Sequence, residues 1–350
     1  MDVGCHAKQD GPMRRLVFIV CLTALIVAGC AGHRLDQGRP FRLTAVSFSD
    51  LPGWTDDDVT GAYPALTQSC QHPTKEWQDF CDGLYDYRYA SGAKLRRYLE
   101  RHLKPYRVTA YGQNQGRITG YYEATLTGTR KRTHKGQVPV YGVPAGYRKD
   151  KTYPKRKDIE EDGLDAPVIA WADDPVDLFL MHVQGSGRME TPDGVIHLGF
   201  AGSNNRSFTG IGQILKDEGL LDDIGHSMAQ IRDWLKDHPR QARRFLVRND
   251  RYIFFREVIG DTPVGTGGVV LTPWRSVAVD KEFIPMHTPI WLDTKNPDGG
   301  ALQTLVVAQD TGSAIKGGIR ADFFFGHGDE ALDQAGRMNM TGRYYLLLPN

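Results

Sequence analysis

Val307-Ala308-Gln309-Asp310-Thr311-Gly312-Ser313-Ala314-Ile315-Lys316-Gly317, then Arg320-Ala321-Asp322-Phe323-Phe324-Phe325-Gly326, carries the most informative pattern in the chain. A short apolar run at 305–308 delivers Asp310 at its end. A glycine-rich turn follows, and Asp322 then stands directly before three aromatics. A carboxyl group set against apolar rings is desolvated, and desolvation disfavours the charged form. That is how a protein keeps an acid protonated near neutral pH. The pattern predicts two strands joined by a loop, carrying an acid catalyst and a partner that holds or orients it.

Working outward, the chain reads mostly as short strands between turns: 178–183, 252–255, 269–271, 277–279, 289–292, 305–308 and 343–348. Helices are expected at 91–103, with Ser91 as the cap, at 209–219, and around Met228, Ile231, Trp234 and Leu235, the last stopped by Pro239. This density of short strands suits a closed barrel better than a doubly wound sheet. Three aspartates follow short apolar strands: Asp280, Asp310 and Asp322. They can converge over one end of a barrel, or each can cap its own turn. For Asp280, before Lys281-Glu282, the turn reading is at least as good. Lys316, in the loop between the other two, is placed to lower the pKa of one of them. A three-aspartate metal site is conceivable and is hard to distinguish from an acid–base site by sequence; no metal is expected.

Near the N-terminus, Arg14 and Arg15 precede an apolar stretch at 16–27 that is too short to span a membrane and fits a secretory signal. It ends Val27-Ala28-Gly29-Cys30, small residues before a cysteine, which predicts cleavage after residue 29 and lipidation of Cys30. An ordinary signal peptide with a coincidental cysteine is the plainer alternative. Ala31 stands where an aspartate would mark the inner membrane in bacterial sorting signals. The resemblance to those signals implies a Gram-negative lipoprotein on the periplasmic face of the outer membrane.

A net charge of +1 and a mean hydropathy of -0.42 argue against a nucleic-acid binder and against an integral membrane protein. Of five cysteines, Cys5 and Cys21 leave with the signal and Cys30 is lipidated. Cys70 and Cys81 remain. In an oxidising compartment they are most simply a disulfide; a metal site involving His72 is the weaker reading.

Residues 124–182 differ in character, with Arg130, Lys131, Arg132, Lys135, Arg148, Lys149, Lys151, Lys155, Arg156 and Lys157. One reading is a solvated loop surface; the sharper one is a basic lobe facing a polyanion such as a peptide-bearing glycan. Thr119-Gly120-Tyr121-Tyr122-Glu123 places aromatics beside a small residue, as sugar-stacking platforms do, or it is a strand with half-buried tyrosines. Gln184-Gly185-Ser186-Gly187 reads as a glycine-rich turn at a strand end, open to close approach by a ligand, or as a plain tight turn. Asp310-Thr311-Gly312-Ser313 also spells the aspartic-protease signature, but that chemistry needs two such aspartates, and the chain has one.

Taken together these stretches resemble the membrane-bound lytic murein transglycosylase A family. The resemblance runs through Thr119 to Tyr122, Pro139-Val140-Tyr141, Val183 to Gly187, Gly199 to Gly202, Ser207 to Gly212, Arg251 to Phe255, Thr272 to Asp280, Ile284-Pro285, Asp310 to Gly317, Ala321-Asp322-Phe323 and Ala335-Gly336-Arg337. The C-terminal part is also similar to the module named for three aspartates, here Asp280, Asp310 and Asp322. The resemblance implies a mainly β protein: a double-psi β-barrel domain, 51–123 and 183–350, a smaller inserted β-rich domain, 124–182, and a few short helices, preceded by a tether at 30–50. It implies cleavage of the MurNAc–GlcNAc bond of peptidoglycan glycan strands to a 1,6-anhydro-muramyl product, without a cofactor. Asp322 is the matched acid and Asp310 its partner. Thr119, Tyr121, Tyr122, Gln184, Gly185, Ser186, Asp280 and Lys316 are expected at the substrate. Wall-degrading lipoproteins of this kind are expected in complexes with wall synthases. Met286-His287 replaces the family's usual Leu-Gly, and Ser313 often reads Gly. A non-catalytic glycan-binding barrel, a dimeric aspartic protease and a metal-dependent hydrolase are the rival readings.

Overall fold

The computed structural model describes residues 41–260 and 263–350. The expected signal segment, Cys30 and residues 30–40 of the tether lie outside the described residues. Thirteen strands run through the described part. They are β1 (Phe41–Ala45), β2 (Leu103–Ala110), β3 (Gly116–Thr129), β4 (Val138–Tyr141), β5 (Val168–Ala172), β6 (Gly187–Thr191), β7 (Gly194–Ser203), β8 (Ile253–Val258), β9 (Ser276–Val279), β10 (Pro289–Lys295), β11 (Ala301–Asp310), β12 (Arg320–His327) and β13 (Asn339–Pro349).

Six of these strands pair in a closed cycle. β13 lies against β10, β10 against β11, β11 against β9, β9 against β12, β12 against β3, and β3 returns to β13. The β11/β9 and β12/β3 pairs are parallel and the others antiparallel. β2 and then β1 extend the sheet outward from β13. The run at 305–308 is uninterruptedly apolar because β11 is covered on both faces, which removes the usual polar alternation. Val306 and Ala308 pack with Ile118, Val277, Ala321 and Phe323. Leu305 and Val307 face the opposite way, with Trp291 and Leu347, under the helices Tyr63–Ser69, Gln78–Leu84 and Gly92–His102. A disulfide between Cys70 and Cys81 ties the first two of those helices together.

β3 serves more than the ring. Its residues Ala124 to Thr127 pair in parallel with β6, and β7 and β8 follow antiparallel. Its last two residues pair with β5, which pairs with β4. The inserted unit expected at 124–182 therefore has no break at either edge. β3 runs through residue 124 without interruption, and the second sheet continues to Val258. Four helices, Pro175–Gln184, Ile211–Asp217, Met228–Asp237 and Pro239–Leu246, share a separate apolar core beside it.

Some secondary-structure expectations are corrected. Residues 178–183, expected as a strand, lie in the helix Pro175–Gln184. Asp174 caps it by accepting from the amides of Val176 and Asp177, Pro175 fills the first turn, and Gly185 ends it at φ +84°. That left-handed turn is free of Cβ strain only for glycine. A helix buried nearly all round loses its 3.6-residue periodicity, so its run reads like a strand. Residues 269–271 make only an isolated bridge, Val264 to Val270. Residues 41–45, placed in the tether, form β1, held by Phe41 stacking near Phe283 with centroids 5.5 Å apart. Pro239 stops one helix and, lacking an N–H the first turn does not need, begins the next. Part of the basic stretch is paired: Arg130 with Glu257, Arg148 with Asp150, Lys155 with Asp250. Arg156 is buried against Phe179 and Tyr252. His287 sits at φ +70°.

Candidate active site

One face of the β3/β12 pair opens onto a cavity of about 990 Å³. Alternation along both strands puts every second residue on that face. Register then builds three rungs: Arg117 beside Arg320, Thr119 beside Asp322, and Tyr121 beside Phe324. The intervening Ile118, Ala321 and Phe323 turn into the core. Gly120 is required between them: a Cβ there would lie 2.8 Å from the Ala335 Cα and 2.6 Å from the Phe325 ring, against which the helix Gly328–Arg337 packs.

The middle rung extends sideways across five strands. Asn339 on β13 pairs with Thr119 on β3, Thr119 with Asp322 on β12, Asp322 with Ala278 on β9, and Ala278 with Asp310 on β11. All five line the cavity. Asp310 and Asp322 are two strand spacings apart, roughly 10 Å between backbones, and the residue between them carries only a methyl group.

The Thr119 hydroxyl donates to Asp322 Oδ1 at 2.5 Å. Asp322 Oδ2 has no hydrogen bond among the described residues. Burial pushes the Asp322 pKa above the ordinary carboxylate range. The Thr119 bond and the positive charges of Arg320 and Arg117 oppose that rise, and the nearby Asp310 charge adds to it. Asp310 is likewise raised by burial, against the backbone amides of Thr266 (2.9 Å) and Thr311 (2.8 Å), which both donate to Oδ1. The Tyr121 hydroxyl donates to Asp310 Oδ2 at 3.1 Å. Burial and the two carboxylates hold Tyr121 firmly protonated, well above the usual phenol range. The site thus offers a carboxyl pushed toward its neutral form by burial, with one oxygen anchored and one open.

The expected residues divide. Thr119, Tyr121, Tyr122, Gln184, Asp310 and Asp322 line the cavity. Tyr122, on the other face of β3, is buried, and its amide donates to Gln184 Oε1 at 3.3 Å. Gly185 and Ser186 are not among the lining residues, and neither are Asp280 and Lys316. Asp280 is 3% exposed and ties the loop, accepting from the Gly317 amide at 2.9 Å and the Glu282 amide at 3.2 Å. Lys316 lies 3.5 Å from Asp280, so the cations acting on Asp322 are Arg320 and Arg117 instead. The three aspartates do not converge, and among the described residues no three His, Cys, Asp or Glu side chains gather where a metal could sit.

Sequence reasoning passed over Arg117, Arg251, Arg320 and Asn339, all of which line the cavity. For Arg117 a signal existed: it precedes Thr119 by two residues, so any strand that presents Thr119 and Tyr121 presents it too. Arg320 carries the same signal, two residues before Asp322, whereas Asn339 and Arg251, the latter outside the strands, reach the cavity only through partners distant in the chain.

Comparison with known proteins gives the same picture at the level of the chain. The MltA specific insert domain model matches residues 117–256, and the 3D domain model matches residues 275–348. Membrane-bound lytic murein transglycosylase A of Vibrio cholerae is 32% identical over 249 residues, 67% of each chain. Among solved structures, the lytic transglycosylase LtgG of Burkholderia pseudomallei is 42% identical with a TM-score of 0.67, covering 88% of this chain and 96% of that one. MltA from Neisseria gonorrhoeae is 32% identical with a TM-score of 0.79, covering 89% and 93%.

Proposed function

The chain belongs to the MltA family of lytic murein transglycosylases, and from that premise we propose that it cuts the β-1,4 bond between MurNAc and GlcNAc in peptidoglycan and closes a 1,6-anhydro ring on the muramyl product. It is an enzyme acting on peptidoglycan. The closed six-strand cycle is read as a double-psi β-barrel. The cavity is read as the glycan groove, and the chain as an outer-membrane lipoprotein held at Cys30.

The observation that carries the proposal is the five-strand row with Asp322 at its centre: a carboxyl pushed toward its neutral form, anchored through one oxygen by Thr119, its other oxygen open to the groove. Asp322 donates its proton to the glycosidic oxygen as the C1–O bond breaks and an oxocarbenium-like state forms. The resulting carboxylate takes the proton from the muramyl O6 hydroxyl as O6 bonds to C1. One group serves as acid and then base, and its proton is restored at the end of the cycle. A hydrolase would need a second carboxyl to activate water or form a glycosyl-enzyme. Here the nucleophile belongs to the substrate, so the entropic cost of attack is largely met in advance. Asp310 raises the pKa of Asp322 by its charge, and Tyr121 and the Thr266 and Thr311 amides fix Asp310 in place.

The test is mass spectrometry of products released from purified sacculi by the chain from residue 31 onward, beside its Asp322→Ala variant. Anhydro-muropeptides from the wild type alone are expected. Reducing-end products would overturn the reaction assignment, and release by the variant would overturn the role of Asp322.

A further inference from the structure

The rung above the acid pairs two like charges. Arg117 and Arg320 are register partners on adjacent strands and both face the groove. Like charges directly opposite in a sheet are destabilising, so the arrangement asks what offsets it. No carboxylate among the described residues forms an ion pair with either. The Arg117 Nε donates to the Asn339 Oδ1 at 2.8 Å. One Arg320 nitrogen donates to the carbonyls of Ala321 and Arg117. The remaining donors of both guanidinium groups point to no protein acceptor. A third cation lining the cavity, Arg251 from the second lobe, is half-buried and also has no ion pair among the described residues. The contrast with Arg337 on the same wall is direct, since that side chain is held by Asp333 and Asp298 at 2.7 Å each.

Resting on the peptidoglycan reading above, we propose that Arg117 and Arg320, with Arg251 facing the same cavity, form a binding site for a carboxylate carried by the muramyl unit. A guanidinium fork matches a carboxylate in two parallel hydrogen bonds, and a carboxylate seated between two arginines cancels their repulsion. The rung lies one pleat from Asp322, so the carboxylate belongs to the sugar undergoing cleavage. That sugar carries one in either of two forms: the free lactyl carboxylate of a peptide-stripped strand, or the carboxylates of an attached stem peptide. These arginines are positioning and specificity residues. An anion bound there also screens their hold on Asp322, which favours the protonated acid once substrate is bound.

Three soluble ligands of equal length separate the cases: a chito-oligosaccharide with no carboxylate, a peptide-stripped glycan, and a peptide-bearing glycan. Affinity is measured by calorimetry and turnover by product analysis, for the wild type, Arg117→Gln and Arg251→Gln. The wild type is expected to bind a carboxylate-bearing ligand about tenfold tighter than the chito-oligosaccharide, a preference that shrinks as salt rises. Both variants are expected to lose most of that preference through a higher KM for carboxylate-bearing glycan, while chito-oligosaccharide affinity stays the same. Preference for the stripped strand assigns the lactyl group, and preference for the peptide-bearing strand alone assigns the stem. Equal wild-type affinity for all three ligands, or a uniform loss across all three in the variants, overturns the proposal. Failure of the underlying reaction would appear differently, as the absence of anhydro products from every glycan.

Discussion

Asp310 and Asp322 are both register partners of one residue, Ala278, which lies between them on β9. A larger side chain there would stand between the two carboxyls. An alanine leaves the charge of Asp310 unobstructed, so ionising Asp322 means placing a second negative charge on the same floor. Family members need not share this wiring for it to act in this chain; it follows from three strands and their register.

Replacing Asp322 with Asn should lower kcat by about 10²–10⁴-fold, the usual worth of general acid–base assistance, with glycan affinity retained in calorimetry. Stability should move the other way. In the unfolded chain Asp322 releases its proton at the ordinary carboxylate pKa, whereas in the folded chain it holds the proton to higher pH. Its contribution is therefore fully present below the ordinary value and is lost as pH rises through the folded value. The Asn variant escapes that loss, and its thermal midpoint should exceed the wild type's at pH 8, with the difference closing toward pH 4. A lower midpoint at pH 8 would contradict the burial argument.

Asp310→Asn keeps an amide oxygen for the Thr266 and Thr311 donors but removes a charge. With that charge gone, Asp322 should lose its proton at lower pH. The alkaline limb of kcat/KM against pH should shift to lower pH, while the rate at the optimum falls by less than about tenfold. An unmoved limb would mean that Asp310 is purely structural.

Ala278→Leu fills the space between the carboxyls and crowds a position that is 3% exposed. Overpacking of this kind costs about 1–3 kcal/mol. Denaturant titration should register that cost, and substrate binding should fall far more steeply than stability does.

Cys70→Ser with Cys81→Ser opens the link between two helices that pack on β11 from outside the ring. The expected loss is about 2–4 kcal/mol, read as a lower chemical midpoint. Activity per folded molecule should be unchanged, since neither cysteine lines the groove.

The sequence made β11 readable because an apolar run ending in an aspartate needs only local information. It left 178–183 ambiguous, since a run buried on every side looks alike as helix or strand, although Asp174-Pro175 before it and Gly185 after it carry the helix signals. The three strand-end aspartates looked equivalent. Only register separates Asp310 and Asp322, which share a row, from Asp280, whose oxygens are spent on the amides of Gly317 and Glu282. That Arg117 and Arg320 stand side by side was hidden for the same reason: they are more than 200 residues apart in the chain and meet only when two parallel strands align. The basic stretch at 130–157 was conspicuous in sequence, yet Arg130, Arg148, Lys155 and Arg156 are held in ion pairs.

The cycle of six strands is closed by β13, which also supplies Asn339 to the row through Asp322. A chain threaded or synthesised from its N-terminus therefore carries no finished cutting site until β13 has emerged and found β3 and β10. Truncation before Asn339 should disarm the protein as completely as loss of its acid. A cell making such a chain is spared a working wall-cutter at every intermediate length, with timing enforced by topology and without an inhibitor.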